Sequence, residues 1–251
     1  MARGRSNNRR RRRGRFAFLL RAACAVLVIG AIVAALTLFF KVEDFIVEGS
    51  ARYTKEEIVE ASGIEIEDNL FLLNKYRAAQ SVFEQLPYVE SAVIKRALPS
   101  TIRITVQECS AAAGIVQQDG TWLVSAQGKI LEQSFDIPRG CPVVTGGVAV
   151  EPALSMPLVL DTDFKTDALL ALLDAARTRG VLTNINSVDL SDNSALQLTY
   201  LDRFAVKMPW TADMDYKLQS IAAVVERLEE NETGTINLMT DGKASFVPEK
   251  V

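Results

Sequence analysis

Residues 22–40 read AACAVLVIGAIVAALTLFF, nineteen residues without a charge. As a helix rising ~1.5 Å per residue the stretch is ~28 Å long, which matches the hydrocarbon core of a bilayer. A cleaved signal peptide is the rival reading. Its apolar stretch is shorter, about 7–15 residues, and ends in a small-x-small site. This one runs through Leu36, Leu38, Phe39 and Phe40 straight into Lys41. Residues 22–40 are therefore expected to form a single uncleaved transmembrane helix that contacts the lipid bilayer from Ala22 to Phe40.

The flanks differ sharply in charge. Nine arginines and no acid lie between Met1 and Arg21, so of the 28 basic residues 19 remain to face all 31 acids, and the chain after Arg21 carries a formal charge of 19 minus 31, or −12. Basic residues stay on the cytoplasmic side of a span, which orients the amino terminus inward and the acidic bulk outward. Such a run could also bind nucleic acid. Beside a span and without interleaved aromatics it reads instead as a topology signal in contact with anionic headgroups. Gly4, Ser6, Asn7, Asn8 and Gly14 between the charges predict a disordered tail over 1–21.

The chain contains no histidine. That removes Ser-His-Asp and Cys-His catalysis and the commonest zinc ligand. Cys24, Cys109 and Cys141 are too scattered for a metal knuckle; Cys109 and Cys141 read either as small hydrophobes or, in an oxidising compartment, as a pair.

Beyond the span, Phe45 and Val47 share one face of an extended stretch that closes at Gly49-Ser50. Thr54-Lys55-Glu56-Glu57 is a capping box opening a short helix that stops at Gly63. Tyr76, Ala79, Phe83 and Leu86 mark a second helix, ended by Pro87. Strands follow at 89–96, with Ala92 and Ile94 on one face, and at 101–107, where Ile102, Ile104 and Val106 alternate inward across the Leu98-Pro99-Ser100 turn. The order is strand, helix, helix, strand, strand.

These residues carry a resemblance. Ile46-Val47-Glu48-Gly49, Tyr53-Thr54-Lys55-Glu56-Glu57-Ile58, Asn69-Leu70-Phe71, Leu86-Pro87-Tyr88-Val89 and Leu98-Pro99-Ser100-Thr101-Ile102-Arg103-Ile104 with Glu108 resemble, in register, the POTRA domain of the FtsQ/DivIB division proteins. Cys109-Ser110-Ala111 departs from the basic residue and proline that the family often has there.

The second segment is richer in strands. Ile115-Val116, Trp122-Leu123-Val124 and Ile130-Leu131 form a meander around turns at Asp119-Gly120 and Gln127-Gly128. Pro142 to Gly146 resembles a family strand and glycine turn. A helix over 164–178 places Leu169, Leu172, Leu173 and Ala176 on one face and stops at Gly180. Strands at 185–190, 195–200 and 204–208 precede a helix over 214–228, in phase at Leu218, Ile221, Ala222, Val225 and Leu228. The last two strands flank the turn Thr240-Asp241-Gly242-Lys243. The pattern resembles the FtsQ/DivIB β domain, Lys217-Leu218 included, although Asn237 and Met239 stand where the family has aspartate and arginine. Asp119 and Lys129 are expected to be reachable from outside.

The fold class is therefore α+β: a single transmembrane helix, a POTRA domain of order β-α-α-β-β over 41–110, a larger mixed β domain with two helices over 111–247, and a tail over 248–251.

Acid pairs could run general acid-base chemistry, as in a peptidoglycan hydrolase. Asp161 and Asp163, however, sit where a helix starts and carboxylates cap amides, and Glu226, Glu229, Glu230 and Glu232 read as a solvated helix end. Asp189 to Asn193 lacks the glycine and distal glutamate of an EF-hand loop, and neither Gly128-Lys129 nor Gly242-Lys243 has a phosphate-loop context. No catalytic, cofactor or metal residue is assigned, and neither a nucleic acid nor a small-molecule substrate is expected. A terminal edge strand can instead accept an extended partner segment. The resemblance implies a divisome scaffold at the septum of the bacterial plasma membrane that binds FtsB/DivIC-type and FtsL-type bitopic proteins along Met239, Thr240, Ala244, Ser245 and Phe246. The same residues could simply close the core. A POTRA-type chaperone or secretion component is the other non-catalytic reading.

Overall fold

The computed structural model describes residues 9–240 and 242–249. Helix α1 spans Arg9–Phe39. Within it Leu20–Phe39, the one candidate among the described residues, is long and apolar enough to cross a membrane, and none of it is buried. Because α1 begins at Arg9, the stretch from Arg9 to Arg21 is helical rather than disordered. Arginine is a good helix former, and here it only extends a helix that is already nucleated. The rest of the basic tail, Met1–Asn8, lies outside the described residues.

Two compact units make up the chain: residues 1–81 with 92–106, and residues 82–91 with 107–251. In the first, α1 is followed by β1 (Asp44–Glu48), α2 (Lys55–Ser62), α3 (Lys75–Gln85), β2 (Val89–Ala97) and β3 (Thr101–Glu108), with the last parts of α3 and β3 and the start of β2 belonging to the second unit. The strand order is β1-β3-β2, and β1 runs parallel to β3 with Phe45 beside Ile102 and Val47 beside Ile104. The alternation of Ile102, Ile104 and Val106 buries all three. Helix α2 starts on the anticipated capping box, in which Thr54 Oγ1 accepts from the Glu57 amide while Glu57 accepts from the Thr54 amide, and it ends at Gly63 with φ +64°. Its Ile58 and Ala61 join the core.

Helix α3 corrects the expected stripe. Tyr76 is exposed and Ala79 and Phe83 only half-buried, whereas Ala78 and Val82, four residues apart, are buried. The Phe83 ring lies 3.9 Å from the ammonium of Lys129, within the second unit.

The second unit adds β4 (Ala113–Gln117), β5 (Gly120–Val124), β6 (Ile130–Ser134), β7 (Val143–Thr145), α4 (Asp163–Thr178), β8 (Ile185–Asp189), β9 (Leu196–Tyr200), β10 (Phe204–Met208), α5 (Met214–Val225), β11 (Gly234–Asn237) and β12 (Ser245–Pro248). One nine-stranded sheet results, in the order β12-β11-β10-β9-β8-β7-β4-β5-β6. Parallel neighbours need a crossover: α4 joins β7 to β8 and α5 joins β10 to β11, whereas the parallel pair β4 and β7 is connected through β5 and β6. Leu169, Leu172, Leu173 and Ala176 of α4 are fully buried, as their spacing requires. At α5 the helix ends at Val225 and Ala222 is exposed, while Leu218 and Ile221 are buried and Val225 and Leu228 pack against the core, half-buried. Pro248, read as the start of a tail, completes β12.

Candidate functional site

Strand β12 is the last strand of the sheet and pairs with β11 alone among the described strands. The register sets Asn237 opposite Ser245, Ile236 opposite Phe246, Thr235 opposite Val247 and Gly234 opposite Pro248. One step further, the Glu249 amide donates to the Thr233 carbonyl at 2.9 Å. Such bonds recur at every second residue of an antiparallel pair. Residues 245 and 247 therefore turn their backbone groups toward β11, and residues 246 and 248 turn theirs outward. The outward row offers the N–H and C=O of Phe246 and only the C=O of Pro248, since proline has no donor.

Of the five residues singled out in the sequence, Ser245 and Ala244 are exposed along this edge and Met239 and Thr240 follow β11 in the open. Phe246 is half-buried, its ring edge-on to Phe204 at 6.0 Å, so it closes the core while its backbone faces out. Asp241 of the connecting turn lies outside the described residues.

Beside the edge lies a groove of about 410 Å³, walled by Tyr216 and Val224 of α5 and by Arg227 just after it on one side, and by Leu238, Lys243 and Ala244 on the other. At its base Lys217, only 3% exposed, donates from Nζ to the Leu238 carbonyl at 2.9 Å. That bond ties α5 to the bend where the Asn237 carboxamide oxygen accepts from the Met239 amide. The α5 wall was not foreseen; a lysine next to Leu218 inside an apolar stripe was its one trace. The Asp213 carboxylate caps the helix by accepting from the Tyr216 amide. Asp215 forms a two-point pair with Arg179 at the end of α4, at 2.5 Å for each contact, and that bond holds its carboxyl below the usual range.

A second buried ammonium belongs to Lys129, which is 5% exposed. Its Nζ donates to the carbonyls of Phe83, Leu86 and Val89, where the end of α3 leaves backbone acceptors without helical partners. Burial lowers its pKa to about 8.

Four of the candidate acids, Asp161, Asp189, Asp192 and Glu232, are engaged in local structure. Asp161 caps no helix amide; it accepts from the Val148 amide, while α4 starts at Asp163 behind Thr162. Glu226, Glu229, Glu230 and Glu232 follow α5 rather than lying on it, and the Glu232 carboxylate takes the Glu229 amide. In the polar turn, Asp189 accepts from the amide and hydroxyl of Ser191, and Asp192 does the same with Ser194. Cys109 and Cys141 are free thiols, each pushed up in pKa by burial.

Comparison with known proteins fits this architecture. Residues 40–108 match the POTRA domain, FtsQ-type, and residues 114–239 match the Cell division protein FtsQ/DivIB, C-terminal model. The chain is 36% identical over 107 residues to the Cell division protein FtsQ of Corynebacterium glutamicum, an alignment covering 41% of this chain and 48% of that one, so the match spans about half of that relative. It is 24% identical over 193 residues to the Cell division protein DivIB of Clostridium tetani, covering 76% and 72%, and 23% identical over 218 residues to the DivIB of Clostridium botulinum, covering 84% and 83%. A solved structure of the major extracytoplasmic domain of DivIB from Geobacillus stearothermophilus overlaps 49% of this chain and 99% of its own at 16% identity with a TM-score of 0.31, too low to carry argument.

Proposed function

Because the chain belongs to the FtsQ/DivIB family of cell division proteins, we propose that it is a non-catalytic scaffold of the division machinery. Anchored by α1 in the plasma membrane with its amino terminus in the cytoplasm, it acts at the septum. Residues 41–110 serve as the POTRA domain and residues 111–247 as the β domain. The partners are FtsB/DivIC-type and FtsL-type bitopic proteins, held so that septal peptidoglycan synthesis is positioned correctly.

The observation that carries this reading is the free edge of β12 beside the α5 groove. An extended segment that adds to the edge gains main-chain hydrogen bonds at Phe246, and its side chains reach a groove with Arg227 and Lys243 on its walls. Those cations favour a segment bearing acids. A non-catalytic role is supported by Asp161, Asp189, Asp192 and Glu232, whose oxygens bond backbone amides and neighbouring hydroxyls.

Proline substitutions test the edge directly. Ala244 precedes β12, and by the same alternation its N–H points away from β11. Ala244→Pro should sharply reduce co-purification of the full chain with the FtsB/DivIC-type protein of the same organism while leaving the β11–β12 bonds intact. Ser245→Pro removes an inward N–H and should also loosen β12 itself. Undiminished binding by both variants would overturn the site.

A further inference from the structure

We propose that the loop from Ile66 to Tyr76 rests on the bilayer surface where α1 emerges, with Phe71 and Leu72 inserted at the boundary between headgroups and acyl chains. The inference rests on reading α1 as a membrane span, and it concerns the first unit alone.

The last four carbonyls of a helix have no partner within it, and in a bilayer such groups are costly. Here Asn69 supplies one. Its Nδ2 donates to the carbonyls of Leu36 and Thr37 at 2.9 and 3.1 Å. The Leu70 amide donates to the Phe40 carbonyl at 2.9 Å, and the Phe71 ring stands edge-on to that of Phe40 at 5.1 Å. The loop is therefore stitched to the final turn of the helix. Helix carbonyls point toward the carboxyl end, so a donor that reaches those of Leu36 and Thr37 lies level with the end of α1 at Phe39.

That depth decides the argument. Leu20–Phe39 at ~1.5 Å per residue spans ~30 Å, the full hydrocarbon thickness, and the headgroup layer adds only about 5–7 Å on each side. A loop bonded to the last turn of such a helix lies within the headgroup layer whichever way the helix points.

Its composition suits that layer. Leu72 is 77% exposed, Tyr76 76%, Ile66 57% and Phe71 43%. Four large apolar or aromatic side chains uncovered within eleven residues form a patch that water disfavours and an interface accepts. Lys75, whose ammonium sits 5.0 Å from the Tyr76 ring centre, can extend toward phosphates. The loop is also held rigidly: the Asn69 carboxamide oxygen accepts from the amides of Phe71 and Leu72, and Arg96 donates to the carbonyls of Leu70 and Leu73. Phe71 and Leu72 are thus presented without further ordering of the backbone.

The test uses the full chain in lipid nanodiscs with single tryptophans added, the parent signal of Trp122 and Trp210 being subtracted. Leu72→Trp should show a blue-shifted emission and severalfold stronger quenching by lipids labelled near the glycerol backbone than by lipids labelled at the chain end. Ile29→Trp, at mid-span, should show the reverse preference. A hydrated or unquenched Leu72→Trp signal beside a deeply quenched Ile29→Trp would overturn the surface contact alone. An unquenched Ile29→Trp would instead overturn the span, and the proposal with it.

Discussion

Replacing Lys129 by methionine separates two opposing effects at the end of α3. Methionine keeps the apolar stem but removes the ammonium from the carbonyls of Phe83, Leu86 and Val89. Leu86 keeps a donor, because the Val89 amide also reaches its carbonyl at 3.1 Å. Two carbonyls are orphaned, at about 1–3 kcal/mol each. Against this, the ammonium is disfavoured by burial, which lowers its pKa from 10.5 to about 8 and corresponds to about 3 kcal/mol. At pH 7 the two effects largely offset, and the variant should lose no more than about 3 kcal/mol. Alkaline pH separates them. Below pH 8 the lysine is charged in both the folded and unfolded chains, and the folded state bears the full burial cost. Between about 8 and 10.5 the folded chain releases the proton while the unfolded chain keeps it, so the parent gains stability as pH rises. The variant has no such gain, and its deficit should widen by about 3 kcal/mol across that window. The buried thiols of Cys109 and Cys141 act in the opposite sense; in the difference between parent and variant Cys141 cancels, and Cys109 cancels apart from its coupling to the Lys129 charge. Denaturant unfolding of the solubilised full chain, followed by tryptophan emission, reads it in the correct unit, because Trp122 and Trp210 both lie there. A stability difference that stays flat from pH 7 to 10.5 would refute the reasoning.

Three further substitutions probe other parts of the molecule. A Cβ at Gly234 would lie 2.3 Å from the Val247 carbonyl oxygen and 2.9 Å from the Phe246 ring; Gly234→Ala should therefore cost about 1–3 kcal/mol and strip amide-exchange protection from residues 245–249. Thr54→Ala removes the capping hydroxyl of α2 and should cost about 1 kcal/mol, seen as faster exchange at the Glu57 amide; an unchanged rate would deny the cap its role. Leu172→Ala, at a fully buried position of α4, should cost about 2–5 kcal/mol in denaturant unfolding, and a loss below 1 kcal/mol would mean that the helix does not seal the core.

What the sequence made legible follows from periodicity and local chemistry. The capping box at Thr54, the stop at Gly63, the alternation of Ile102, Ile104 and Val106, and the stripe of α4 all act between near neighbours, so composition and spacing reveal them. The features that escaped are long-range bonds from a side chain to the backbone. Asn69 reaches back 32 and 33 residues to Thr37 and Leu36, and Lys129 reaches back 40 or more to Phe83, Leu86 and Val89. Neither leaves a periodic trace. The same ammonium lies over the Phe83 ring of α3, a contact that helical spacing does not announce. The edge strand lies between these cases. Its hairpin was readable from the turn signal, and so were the residues along it, but not which of their amides point outward. Side chains and backbone groups alternate with a period of two, so a one-residue slip in register would exchange Ser245 and Phe246 as the outward donor. A single bond, from the Glu249 amide to the Thr233 carbonyl, decides the matter. It makes the free edge one in which Phe246 fills the core with its ring and offers its backbone to a partner, so partner docking and core closure share one residue.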